Sequence, residues 1–143
     1  MIELDKFHYL VGQTIMYCQI IENDIKLLYS IMLKGNVEET LNQIENEKWT
    51  MGQTLNKLRK LDYSDNSPYL SNDDYNYLNQ ITQKRNHWCH KAYINFVYID
   101  SLENSKEYRK ESKKLYEDNK QLSNVYQKLK KIRLQSLKDF RRI

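Results

Sequence analysis

Phe7, Val11, Thr14, Cys18, Ile21, Ile25, Leu28 and Met32 recur at alternating steps of four and three. That is the repeat of one apolar helical face. Leu10, Tyr17, Leu27 and Ile31 widen the stripe, so the spacing predicts one long amphipathic helix over residues 4–34, stopped by Gly35-Asn36. A short helix is predicted at 37–46, where Val37, Leu41 and Ile44 share a face. A third begins at Thr50, a good N-cap, and carries Leu55, Leu58 and Leu61. The stretch YSDNSPYLSND, fixed by Pro68, has the composition of a loop.

Ser71 or Asn72 is then placed to cap a fourth helix over 72–98, along which Leu78, Ile81, Arg85, Trp88 and Ala92 step by three and four. Arg85 thus stands in a register that is otherwise apolar. A break is expected near Asp100-Ser101. The last segment, 103–141, carries Leu115, Leu122, Val125, Leu129, Ile132, Leu137 and Phe140 between its charges. The pattern predicts an all-α, up-and-down bundle of four to five helices in one domain, with antiparallel neighbours across short loops. Residues 1–100 form the core of this reading, and 101–143 a long, basic, amphipathic C-terminal helix.

Composition narrows this little. Three Gly and one Pro in 143 residues leave few breakers, which suits helices. No apolar run is long enough to span a membrane, and the N-terminus lacks the basic start of a secretory signal, so a cytoplasmic protein is expected. The two cysteines, Cys18 and Cys89, form no CxxC pair, and a disulfide framework is not expected. Charge adds more. From Lys106 to Ile143 thirteen Lys/Arg stand against five Asp/Glu, although the whole chain is only +4. Such a segment can meet a phosphate backbone, or simply be a solvated helix face.

Candidate chemistry concentrates in KRNHWCH, residues 84–90. Arginine offers a permanent charge and a planar fork that fits phosphate oxygens. Histidine exchanges a proton near neutral pH. On a straight helix five residues separate Arg85 from His90 by roughly 140°, so a bend, long side chains or a second subunit would be needed to join them. Metal chemistry has less support. His87 and His90 are three apart, but no HExxH and no second Cys/His cluster accompanies them. Cys89 lacks an orienting third group and an oxyanion turn. No glycine loop for phosphates is present. No cofactor is expected.

Three stretches, in order, resemble the HEPN superfamily. GQTIMYCQIIENDIKLLY, residues 12–29, is similar to its first helix, with apolar steps around Glu22. WTMGQTLNKLRKL, residues 49–61, looks like a helix start found in some members. KRNHWCH then resembles the signature of an arginine, a polar residue, and a histidine four to six positions on, here Arg85, Asn86 and His90, followed by the apolar YINFVY. The likeness covers about residues 7–98. It implies a four-helix bundle that usually dimerises, and many members are metal-independent ribonucleases of toxin–antitoxin, CRISPR and phage-defence systems. It implies a site in a cleft between two chains. There Arg85 would hold the scissile phosphate and stabilise the transition state, His90 would act as acid or base or position the 2′-hydroxyl, and Asn86 would orient the pair or bond the phosphate. Lys84, His87 and Tyr93 would be substrate contacts. RNA, a second copy of the chain, and an antitoxin or regulatory protein are the partners implied. The sequence departs from one toxin group, in which a modified tyrosine follows the histidine by two positions; here Tyr93 follows His90 by three.

The rival reading is a non-catalytic helical interaction module of a phage or mobile element, acting by protein binding or dimerisation. The surroundings of Arg85 and His90 separate the two. An open basic cleft favours catalysis; a packed Arg85 paired to a carboxylate such as Glu22 favours the structural role.

Overall fold

The computed structural model describes residues 2–143. Six α-helices follow in order: α1 Leu4–Met32, α2 Val37–Asn46, α3 Met51–Asp62, α4 Asn72–Leu78, α5 Ile81–His90 and α6 Lys106–Asp139. One 3-10 turn, Leu102–Asn104, precedes α6. No strand occurs among the described residues.

The helix starts follow from capping chemistry. Thr50 accepts from the Gln53 amide while the Gln53 side chain returns to the Thr50 amide, a full capping box. Ser71 and Asp74 do the same for α4. Asn36 caps α2 and Ser105 caps α6. After α1 the chain turns at Gly35, whose φ of 122° suits glycine best.

All eight residues of the α1 stripe are buried. The helix is central, packing against α2, α3, α5 and α6. Directions can be read from paired residues. Phe7 meets Tyr108, Tyr17 meets Tyr126, and Asp24 meets Arg133, so α1 and α6 run parallel. Glu22 meets Arg85 while His8 meets Tyr93, so α5 runs antiparallel to α1. The core has two parts. One gathers Ile21, Ile25, Leu28, Leu58, Leu78 and Leu122. The other is aromatic, with Phe7 ringed by Trp88, Tyr93, Phe96 and Tyr108 at centroid distances of 5.3–6.5 Å.

The single helix expected over 72–98 is corrected. At Gln80 the amide reaches back three residues to Tyr77, and the Asn79 side chain bonds the Tyr75 carbonyl. This tight turn divides α4 from α5 with no Gly or Pro to announce it. The α-helix also ends at His90, and residues 91–98 form turns. Ala92 and Phe96, within these turns, both join the aromatic cluster. The last α-helix starts at Lys106, three residues after its expected start.

Candidate functional site

The cluster KRNHWCH lies on α5, and its register is set by apolar anchors. Ile81 and Trp88 are at most 1% exposed and face the core. Each residue between them turns about 100° from the last, so the polar side chains leave in different directions.

Arg85 leaves toward α1. Its Nη1 donates to Glu22 Oε2 at 2.5 Å. The Arg85 side chain keeps 32% exposure and Glu22 17%, so the pair sits at the edge of the core. Burial pushes the Glu22 carboxyl above its usual range, while Arg85 and then Lys26 pull it down. The other Glu22 oxygen, Oε1, is buried with no hydrogen-bond partner. Below the pair lies Cys18, fully buried, whose thiol is pushed up to about 12, first by burial and then by the Glu22 charge.

Lys84 and His87 leave on the other flank, toward α6. Lys84 Nζ is 2.9 Å from Asp118 Oδ1, and the Trp88 indole N–H donates to Asp118 Oδ2 at the same distance. His87 Nε2 lies 2.9 Å from Glu111 Oε2, and the Asn95 amide donates to Glu111 Oε1. Both carboxylates are buried, so these contacts fasten α5 to α6.

Asn86 and His90, four residues apart, share the solvent face of α5 with Gln83 and Cys89. All four are exposed. Tyr93 lies beyond the helix, its hydroxyl 2.6 Å from His8 Nδ1 and its ring packed on the edge of Phe7. The six candidate residues therefore occupy four settings. Arg85 faces α1, Lys84 and His87 face α6, Asn86 and His90 face solvent, and Tyr93 faces the start of α1. Within one chain Lys84, His87 and Tyr93 serve the fold. Arg85 is oriented by Glu22, and Asn86 and His90 are free to meet a ligand.

Reading the sequence missed Glu111 and Asp118. Their signal was present: both stand in the same three-and-four register as Tyr108, Leu115 and Leu122. A carboxylate at such a position must find donors on the facing helix. Among the described residues no group of three His, Cys, Asp or Glu side chains forms a metal-ligand set, and no helix is long and apolar enough to cross a membrane. Comparisons with protein-family models, curated proteins and solved structures find no significant match to this chain.

Proposed function

We propose that the chain is a HEPN-like, metal-independent endoribonuclease, possessing in Arg85, Asn86 and His90 one half of a site completed by a second copy. The observation that carries this reading is the exposure of Asn86 and His90 on the solvent face of α5, within the stretch that resembles the HEPN signature. Glu22 fixes the guanidinium while the Arg85 side chain keeps 32% exposure. Packing accounts for Lys84 and His87 but not for Asn86 and His90, which are exposed and make no hydrogen bond to another described side chain.

The chemistry follows from the residue types. RNA carries its nucleophile in the 2′-hydroxyl. Attack on the adjacent phosphorus breaks the bond to the 5′-oxygen and leaves a 2′,3′-cyclic phosphate and a 5′-hydroxyl. A base must take the hydroxyl proton, an acid must supply one to the leaving oxygen, and a cation must hold the charge on the phosphate. His90 supplies the proton chemistry, Arg85 the charge, and Asn86 a hydrogen bond that orients them. A toxin or phage-defence role, an antitoxin partner and a cytoplasmic site of action belong to the same proposal.

One observation favours the second reading, a non-catalytic interaction module: Glu22 neutralises Arg85, as a structural pair would. Incubation of RNA with the protein in EDTA, followed by analysis of the 3′ ends, separates the two. Cyclic phosphate ends support the nuclease. Intact RNA, with the chain forming complexes, supports the module.

A further inference from the structure

On α6, Arg109, Ser112, Lys113 and Tyr116 stand at i, i+3, i+4 and i+7 and therefore share one face. With Ile2 they line an open cavity of about 780 Å³, the size of a small-molecule site. Ile2 is held over it because the Tyr108 hydroxyl donates to the Ile2 carbonyl. Neither Arg109 nor Lys113 makes an ion pair among the described residues, whereas Lys84, Lys128 and Arg133 each do. Ser112 is 2% exposed, with its hydroxyl beside that of Tyr108. Tyr116 is 60% exposed, so its ring offers a flat apolar surface at the rim.

Two unpaired cations suit a phosphate, and an exposed phenol ring beside them suits a stacked base. We infer that this face of α6 binds a nucleoside phosphate: Arg109 and Lys113 take the phosphate, and the base stacks on Tyr116. The ligand is a free mononucleotide or the terminal nucleotide of an RNA strand, which share this chemistry. The inference stands apart from the nuclease reading, since it uses no residue of α5.

Calorimetric titration of the full chain with adenosine 5′-monophosphate tests it, with adenosine and ribose 5-phosphate as controls. One-to-one binding is expected for the nucleotide. The double variant Arg109→Ala, Lys113→Ala weakens it by about tenfold or more, the loss of one charge-assisted contact or better. Tyr116→Ala removes the advantage of the nucleotide over ribose 5-phosphate, and Tyr116→Phe keeps it. All three side chains are exposed, so the variants fold, and Lys130→Ala, at an exposed position further along α6, leaves the binding unchanged. A 5′-phosphorylated RNA oligonucleotide that competes with the nucleotide identifies the strand-end source; one that does not identifies the free nucleotide. Absence of binding at millimolar nucleotide, or binding that survives the double variant, overturns the inference.

Discussion

Arg85 of α5 and Glu22 of α1 meet at 2.5 Å across the edge of the core, and this one contact joins the candidate chemistry to the fold. The pair has a predictable energetic signature. Arg85→Ala leaves the half-buried Glu22 carboxylate without its cation and should cost about 1–3 kcal/mol at neutral pH. Burial already holds this carboxyl above its usual range, and loss of Arg85 raises it further. A raised carboxyl binds its proton more tightly folded than unfolded. Folding therefore gains stability as the pH falls through the raised value, and the gain is complete below the ordinary carboxylate range. The deficit of Arg85→Ala should thus shrink on acidification, and the variant Glu22→Gln, Arg85→Ala should show no such recovery. Urea unfolding at a series of pH values measures both.

Asp118 joins α5 to α6 by accepting from Lys84 and from the Trp88 indole while only 5% exposed. Asp118→Ala strands a buried donor and a lysine and should cost about 2–4 kcal/mol, whereas Asp118→Asn keeps an acceptor for the indole and should cost less. Urea midpoints rank the two variants, and the native emission spectrum reports the changed environment of Trp88.

These two contacts also show what the chain's pattern reveals and what it hides. The stripe of α1, the capping residues Thr50 and Ser71, and the long basic α6 are local features. Periodicity and short-range hydrogen bonding determine them, so they are legible in the sequence. The break at Asn79-Gln80 and the end of α5 at His90 are not, because no Gly or Pro marks either place and the apolar three-and-four spacing of Leu78, Ile81, Trp88 and Ala92 runs on through both. For the candidate site, the odd register of Arg85 was visible and Glu22 was nameable as its partner. The diversion of Lys84 and His87 to α6 depends on Glu111 and Asp118, which lie 24 to 34 residues further on. Only the three-dimensional packing of α5 on α6 reveals it.

Asp62 closes the loop that carries Pro68. At 2% exposure it accepts from the amides of Tyr69 and Leu70 and from the Tyr75 hydroxyl. Asp62→Ala leaves three donors unsatisfied and should cost about 2–4 kcal/mol. Amide exchange at Tyr69 and Leu70 should accelerate in the variant more than at α1 residues such as Ile21.

The two cysteines should differ in reactivity. Cys89 is exposed, while Cys18 is fully buried with its thiol pushed up to about 12. A thiol-specific disulfide reagent at neutral pH should modify one cysteine in the folded protein and two after denaturation. Cys89→Ser should abolish the fast reaction, and Cys18→Ser should leave it unchanged.

The most direct test of the nuclease reading is RNA cleavage by the purified protein in EDTA, set beside His90→Ala and Arg85→Ala. His90 is exposed and makes no hydrogen bond to another described side chain, so His90→Ala should melt with the parent protein. The expected result is cleavage to 2′,3′-cyclic phosphate ends by the parent protein, reduced by about two orders of magnitude or more in His90→Ala, consistent with loss of a general acid or base. Arg85→Ala should lose activity too, under conditions where it remains folded. Cleavage that survives both substitutions, or its absence in the parent protein, would contradict the account and leave KRNHWCH as the part of α5 that fastens this helix between α1 and α6.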